Sequence, residues 1–289
     1  MKKIIEFLSK DKIAYKLARE MWWIVSSPIV NALYLFKLFC AAMRKRNIAL
    51  FSKYNDIRQF DNKHSNERCF IVCAGPSLTY ADLEKLQGEL CFSMNTVVKV
   101  FKKTSWRPTY YILNIDGRER LKEWIDKAHL PYVFTTDKKI RRQEWPIKPI
   151  LFSSLPYRPY TILNPHTSTY QYKPKFSSNA FSFVYGGGTT AYKVIQIAVY
   201  MGFKEIYFVG CDCDYSGATA HFPDAEICTD EEILRANMLA KRMHALMTNA
   251  HCSAKAYADK HGINIYNATR GGKLEVYERV NLDDVLEKQ

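Results

Sequence analysis

The sequence predicts an α/β fold: a Rossmann-like, mostly parallel sheet with helices on both faces, a small lid region and an N-terminal helical segment. Short apolar runs alternate with helical patterns from about residue 69 to the end of the chain, as in βαβ units. A glycine-rich turn runs into a helical pattern that Gly202 closes as a C-cap residue. The 289 residues are enough for one large α/β domain with an appendage.

The N-terminal part of the chain, residues 1–51, is predicted to be a basic, aromatic helical segment. Residues 1–68 carry 14 Lys and Arg against 6 Asp and Glu, a balance of +8 out of a net charge of +13. This charge points to an anionic partner surface. Nucleic acid is not expected, because the aromatic residues are not interleaved with the basic ones as a stacking platform requires.

An uncharged stretch, Met21–Phe36, lies within this segment. It is shorter than the ~20 apolar residues of a spanning helix, and Pro28 interrupts it. Trp22 and Trp23 suit the headgroup region of a membrane. We expect a helical hairpin on an anionic membrane surface. The alternative is an apolar helix pair packed on the body or on a second copy of the chain. Without a visible signal sequence, we expect a cytoplasmic protein, peripheral on the inner face of the membrane.

The remaining elements follow in order. Residues 52–67 are polar and are predicted to be a linker, so the body spans 68–289. Residues 153–183 are rich in Pro, Tyr, Ser and Asn and are predicted to form a lid. The expected strands are 69–74, 90–95, 109–116, 131–136, 149–153, 205–212 and 263–268. The expected helices are 81–87, 96–104, 190–201 and 230–261.

Polar residues follow several of these strands. Because the carboxyl ends of parallel strands share one edge of the sheet, these residues are expected to form a ring around a ligand. The turn after the first strand would bare backbone N–H groups to an anion, and so would the glycine-rich turn before the helix at 190. The ring consists of Gly75, Pro76, Ser77, Asn95, Asn114, Asp116, Gly187, Gly188, Thr189, Thr190, Asp212, Asp214, Tyr215, Asn267, Thr269 and Arg270.

Several chemistries are not supported. The glycine-rich turn lacks the Walker lysine, and no G-x-G-x-x-G fingerprint is present, which argues against a P-loop nucleotidase and a hydride-transfer enzyme. The eight scattered cysteines indicate reduced thiols. Cys211 and Cys213 with His221 and Cys228 fit no standard zinc spacing, so no metal ligands are predicted there.

The segments "CAGPSL", "FSMNTVVKVF", "RPTYYILNID", "GGGTTAYKVIQIAVYMGFKEIYFVGCD" and "GINIYNATRGGKLEVYERV" carry a resemblance. Over about residues 68–285 the chain resembles the bacterial 6-hydroxymethylpterin diphosphokinase-like or motility-accessory-factor-like family. That family is similar to the lipooligosaccharide sialyltransferases. The resemblance implies a glycosyltransferase fold with a cytidine-monophosphate sugar as donor, no required metal, and a surface glycan or lipid-linked acceptor.

The resemblance also implies roles for individual residues. Gly75, Ser77 and Asn95 would hold the nucleotide, and Tyr215 would hold the leaving phosphate. The glycine-and-hydroxyl turn, Gly187 to Thr190, would lie near the donor. The chain departs from the sialyltransferases at Ala74, where they have Asn, and before the glycine turn, where they have Arg.

A histidine with a pKa near the working pH suits the base that deprotonates an acceptor hydroxyl. His221, in the loop after the sixth predicted strand, is the first candidate and His244 the second. Asp212 and Asp214 have Asp-x-Asp spacing, so a divalent metal stays open. The competing functions are an ATP-dependent pterin diphosphokinase, with Asp116 in its metal set, and a non-catalytic scaffold of glycan assembly.

Overall fold

The computed structural model describes residues 12–48, 52–114, 121–136, 147–155, 173–214, 222 and 240–287. The predicted α/β fold with a mostly parallel sheet is confirmed. Its main sheet has eight strands in the order β10-β9-β8-β1-β2-β3-β4-β5, and every neighbouring pair is parallel. The main-sheet strands are β1 Arg68–Val72, β2 Cys91–Met94, β3 Tyr110–Leu113, β4 Tyr132–Thr136, β5 Ile150–Phe152, β8 Glu205–Val209, β9 Asn264–Asn267 and β10 Glu278–Arg279.

Helices flank this sheet. They are α1 Lys12–Lys45, α2 Tyr80–Lys85, α3 Lys122–Ala128, α4 Thr190–Tyr200, α5 Ala240–Lys260 and α6 Leu282–Glu287. Two short 3₁₀ helices, Asn55–Phe60 and Asn95–Lys102, complete the set, and the second replaces the α-helix expected at 96–104. A separate two-stranded sheet pairs β6, Ser154–Leu155, with β7, Val184–Tyr185.

The central strand β1 shows why the sheet is covered on both faces. Its residues alternate between two hydrophobic cores: Cys69 and Ile71 pack in one, Phe70 and Val72 in the other, and all four are fully buried. A strand whose two faces are both apolar requires a layer of helices on each side. The continuous apolar run of β1 therefore encodes a three-layer architecture.

The chain reverses its direction of sheet growth at β1. From β1 it proceeds through β2, β3, β4 and β5 to one edge, and then returns to place β8 on the other side of β1. The crevice at such a switch point, beyond the carboxyl ends of the strands, is where open α/β sheets bind ligands. The carboxyl ends of β1 and β8 therefore mark the expected ligand site.

The expected linker, residues 52–67, packs against the body instead of extending from it. Ile57 and Phe60 are fully buried, and the Phe60 ring meets those of Tyr110 and Phe134. Arg58 and Gln59, between Ile57 and Phe60, are polar and exposed, which is why the segment resembles a linker in the sequence.

The predicted lid is only partly described, since residues 156–172 lie outside the described residues. Its C-terminal part packs on the body: Ser177 N donates to the buried Gln196 side chain at 3.0 Å. Tyr192 Oη also donates to the Lys175 carbonyl at 2.9 Å. These contacts hold residues 175–177 against α4.

The expected N-terminal hairpin is wrong, because residues 12–45 form one continuous helix through Pro28. The C-terminal end of α1 is anchored. Arg44 donates to the Ser182 carbonyl at 2.6 Å, and Ser182 Oγ donates to the Ala41 carbonyl at 2.8 Å. Nearer the N-terminus of α1, Ile29, Leu33 and Phe36 are 58–64 % exposed and share one helix face. Among the described residues, no helix is long and apolar enough to cross a membrane.

Candidate functional site

A cleft of about 400 Å³ opens at the switch point between β1 and β8. Its volume lies within the range of about 300–1,000 Å³ that small-molecule sites occupy. It is bounded by the segments after β1, β2 and β8, the start of α4 and one residue of α5. The lining residues are Cys73, Ala74, Gly75, Met94, Asn95, Thr96, Gly188, Thr189, Thr190, Ala191, Gly210, Cys211, Asp212, Cys213, Asp214 and Met247.

The turn after β1 is held by a carboxylate from the end of β8. Asp212 Oδ2 accepts from Ser77 Oγ at 2.8 Å and from Ser77 N at 3.3 Å. Gly75 N donates to the Gly210 carbonyl at 2.8 Å. A Cβ on Gly75 would lie 1.9 Å from Asp212 Oδ2, so only glycine fits. The N–H groups of Gly75 and Ser77 therefore donate to oxygen atoms of the protein itself. Gly75 lines the cleft, and Ser77 does not.

Asp212 is buried in this arrangement. Burial raises the pKa of its carboxyl above the usual range, while the hydrogen bonds from Ser77 oppose the rise. Asp214 is also engaged, since its Oδ1 accepts from Lys273 Nζ at 2.9 Å. Asp212 and Asp214 therefore both accept hydrogen bonds from other residues of the protein, Ser77 and Lys273 respectively.

The opposite wall is the N-terminus of α4. Thr189 is the N-cap, and its Oγ1 accepts from Ala191 N at 3.3 Å. The first N–H groups of any helix lack intrahelical acceptors, and the helix dipole adds partial positive charge there. Gly188, Thr189, Thr190 and Ala191 all line the cleft, so this end of α4 can hold an anion.

The glycines before α4 are required by packing. A Cβ on Gly187 would lie 2.5 Å from the Tyr192 ring, and one on Gly188, at φ +77°, would lie 2.5 Å from Leu246. They bring the helix start close to α5. Their presence in the sequence correctly indicated a close backbone approach, although the approached groups are side chains of the protein.

Asn95 ties three elements together beside this helix end. Its Nδ2 donates to Thr190 Oγ1 at 3.1 Å and its Oδ1 accepts from Asn114 N at 2.9 Å. Lys193 Nζ in turn donates to Asn114 Oδ1 at 3.1 Å. Asn95 adopts φ 52°, a left-handed conformation that asparagine tolerates. The network fixes the ends of β2 and β3 against α4.

The residues after β9 build the scaffold instead of the cleft wall. Asn267 Nδ2 donates to the Leu274 carbonyl at 2.8 Å, and Thr269 Oγ1 accepts from Cys211 N at 2.9 Å. Arg270 forms a bidentate pair with Asp82, with Nη1 donating to Oδ1 at 2.7 Å. Arg270 therefore has the predicted bidentate geometry, but its partner is the carboxylate of Asp82 in helix α2.

Two histidines of α5 lie near the cleft but are not among its lining residues. His244 Nδ1 donates to the Cys213 carbonyl at 3.0 Å, so its neutral form carries the lone pair on Nε2. His251 is fully buried beside Cys211 and Cys213. The neighbouring Cys211 thiol and burial raise the pKa of the Cys213 thiol above its ordinary value.

The sequence-predicted residues divide into three groups. Gly75, Asn95, Gly188, Thr189, Thr190, Asp212 and Asp214 line the cleft together. Pro76, Ser77, Asn114, Gly187, His244, Asn267, Thr269 and Arg270 are not among the lining residues. Asp116, Tyr215 and His221 lie outside the described residues.

A family model described as 6-hydroxymethylpterin diphosphokinase MptE-like matches residues 44–218. The chain belongs to this MptE-like family. The resemblance inferred from the sequence is thereby confirmed, and the matched region contains every cleft-lining residue except Met247. The region also includes the anchored end of α1, which agrees with the packing of residues 52–67 on the body.

One solved structure similar to this MptE-like chain is that of the MAf glycosyltransferase from Magnetospirillum magneticum AMB-1. The two are 14 % identical, with a TM-score of 0.43. The match covers 80 % of this chain and 38 % of the other, so the chain spans well under half of that protein's length. Among curated proteins, none matches the sequence.

The Arg270–Asp82 pair predicts a pH-dependent contribution to stability. Burial alone would raise the pKa of Asp82, but hydrogen bonds from Arg270 and Thr79 outweigh it and lower the pKa below its usual range. This stabilisation is present above the unfolded-state pKa of about 3.9 and is lost as the pH falls through the lower folded-state value. Arg270→Gln should reduce the free energy of unfolding by about 1 kcal/mol at pH 7, since Arg270 is largely exposed.

Urea denaturation at pH 7 and near pH 3 measures this effect, and the gap between Arg270→Gln and the parent should be smaller at the acid pH, which lies below the unfolded-state pKa of about 3.9. Lys85→Gln, which breaks an exposed pair with Asp283, is the control and should cost less than about 0.5 kcal/mol. A gap for Arg270→Gln that is the same at both pH values would contradict the assignment.

Proposed function

We propose that the cleft binds the nucleotide of an activated sugar and that the chain is a sialyltransferase-like glycosyltransferase, with a CMP-activated acidic sugar as donor. The observation that carries the proposal is the α4 N-terminus, with its N–H groups and the hydroxyls of Thr189 and Thr190, on one wall of a cleft at the switch point. Hydroxyls and helix N–H groups can stabilise one leaving phosphate without a metal.

The charge of the lining supports a monophosphate over a triphosphate. Among the described residues that line the cleft there is no Lys or Arg, whereas Asp212 and Asp214 are present. Both carboxylates already accept hydrogen bonds, from Ser77 and Lys273 respectively. An ATP-dependent diphosphokinase, the activity in the family's description, would need them or other carboxylates for magnesium. That activity is the second candidate, favoured by the position of both aspartates at the cleft.

His244 is the proposed base among the described histidines. The carbonyl of Cys213, a cleft-lining residue, accepts from His244 Nδ1 and thereby orients the ring. The neutral ring can take the acceptor hydroxyl proton at Nε2 while that oxygen attacks the anomeric carbon and the nucleoside monophosphate departs. His221 remains the other candidate for this role.

The acceptor is proposed to be a glycan or lipid-linked molecule at the inner face of the cytoplasmic membrane. The exposed face of Ile29, Leu33 and Phe36, within the basic N-terminal segment, supports this location. An apolar helix face flanked by Lys and Arg binds in the interface of anionic lipids without spanning them.

Binding of the nucleotide is tested by calorimetry with CMP, CDP, UDP, GDP and ATP, each with and without magnesium. We expect CMP to bind without metal. Asn95→Asp should weaken that binding at least about tenfold, because a carboxylate at this position repels phosphate, while Asp keeps the shape and tolerates the left-handed backbone. Asn66→Asp is the matched control, since Asn66 is exposed and also left-handed, at φ 66°.

The outcomes separate the candidates. ATP binding that requires magnesium would indicate the kinase, and binding of a nucleoside diphosphate alone would change the donor. The absence of binding by every nucleotide would indicate a scaffold.

The base is tested with His244→Asn, whose amide can still donate to the Cys213 carbonyl but cannot accept the proton at Nε2. We expect kcat to fall by about 10²–10⁴ with little change in CMP affinity. His261→Asn is the matched control: His261 Nδ1 also donates to a backbone carbonyl, that of Tyr257, but the residue is exposed and follows the last residue of α5, whereas the partner of His244 is the carbonyl of a cleft-lining residue. Unchanged turnover in His244→Asn would exclude His244 as the base.

Membrane binding is tested by sedimentation with vesicles of phosphatidylcholine with and without phosphatidylglycerol. The parent chain should bind only the anionic vesicles, and the double variant Leu33→Glu with Phe36→Glu should lose most of that binding. Ala42→Glu, on another face of α1, adds a charge to the anchored end and should retain it. Equal binding by the double variant, or its conversion from a dimer to a monomer without any effect on vesicles, would contradict the membrane assignment.

A further inference from the structure

Three cysteines that line the cleft lie near His251 of α5, beyond the carboxyl ends of β1 and β8. Cys211 Sγ and Cys213 Sγ are 3.9 Å apart, and these two atoms and a ring nitrogen of His251 all lie within 4.8 Å of one another. The Cys211 thiol also contacts the thiol of Cys73. All four residues are buried, with His251 fully so. We propose that Cys73, Cys211, Cys213 and His251 bind a structural zinc ion.

The orientation of His251 is the strongest support. Its Nδ1 bonds the Tyr277 hydroxyl at 3.0 Å, and that hydroxyl donates to the His251 carbonyl at 3.3 Å. Nδ1 is therefore the protonated nitrogen, and Nε2 carries the lone pair. Among the residues that the structure describes, Nε2 has no partner of ordinary hydrogen-bond geometry although it is fully buried, and the imidazole contacts the Cys213 thiol. An unpaired buried nitrogen is costly, and metal-bound histidines typically donate their other N–H to an oxygen in this way.

The distances suit tetrahedral coordination. Two thiolates bound to one zinc at about 2.3 Å lie about 3.8 Å apart, close to the observed separation of Cys211 and Cys213. Cys213 has φ 50°, an uncommon conformation for a non-glycine residue, next to the strand end that bears Cys211. The Cys73 thiol neighbours that of Cys211 but is not within 4.8 Å of all three other ligand atoms, so its side chain would have to turn towards the ion. With Cys73 as the fourth ligand, the set would be Cys₃His, a standard closed zinc site.

Zinc binding would displace three thiol protons to solvent and form three Zn–S bonds and one Zn–N bond. The ion would join the carboxyl ends of β1 and β8 to the middle of α5. Asp212, which holds the turn of Ser77, lies between two of the ligands, so the ion would fix one side of the nucleotide cleft. This role is independent of the proposed transferase chemistry, in which the ion would take no part.

The test uses the full chain, purified under reducing conditions and treated with a chelator. Zinc should then bind at about one equivalent per chain and raise Tm by several degrees. Cobalt in its place should give the near-ultraviolet absorption of thiolate-to-metal charge transfer, with visible bands typical of tetrahedral geometry. Cys213→Ser and His251→Gln should each weaken zinc binding more than about 100-fold, beyond the loss caused by an outer-shell change.

Cys252→Ser is the matched control, because Cys252 is a free cysteine of α5 next to His251 but is not part of the cluster. It should bind zinc like the parent. CMP binding by the metal-free chain, measured alongside, separates failure of the zinc proposal from failure of the nucleotide proposal. The parent spectra decide the case even if a ligand variant does not fold. Absence of the cobalt–thiolate band, unchanged Tm with zinc, or a Cys211–Cys213 disulfide in the reduced preparation would overturn the proposal.

Discussion

The contact between the carboxyl ends of β1 and β8 is the constraint on which the rest of the site depends. Asp212 reaches across the switch point to hold the backbone and hydroxyl of Ser77, and Gly75 is the one residue type that leaves room for its carboxylate. β1 and β8 are adjacent strands at the point where the strand order reverses, so this contact closes one end of the crevice. The cleft therefore has a rigid floor made of backbone and one carboxylate.

The second half of the site comes from α4, and its position depends on small residues. Gly187 and Gly188 let the start of α4 approach Ala250 and Leu246 of α5, and Asn95 fixes it to the ends of β2 and β3. The helix N-terminus and its threonines are then the main groups on the cleft wall that suit an anion. A site with this balance relies on preorganised dipoles instead of ionic contacts, which suits a ligand that carries little charge.

Much of the fold and part of the site were predictable from local pattern. The apolar run of β1 indicated burial on both faces, and polar residues after strands indicated a common edge, where seven predicted residues line one cleft. Other predictions failed because they depend on distant partners. Residues 52–67 have the composition of a linker, but Phe60 packs against Tyr110 and Phe134 of the body. Arg270 has the sequence context of an anion-binding residue, but its guanidinium forms a bidentate pair with Asp82.

The sequence by itself determined the α/β class, the family and the edge of the sheet where the site lies, because strand periodicity and turn composition are local properties of the chain. Only the tertiary structure decided which residues form the cleft wall and which form its support. Cys73, Cys211 and His251 are separated by 138 and 40 positions in the sequence, and no spacing rule connects them. Their proximity is set by the crossover that places β8 beside β1 and packs α5 against both, a long-range arrangement that local patterns do not encode.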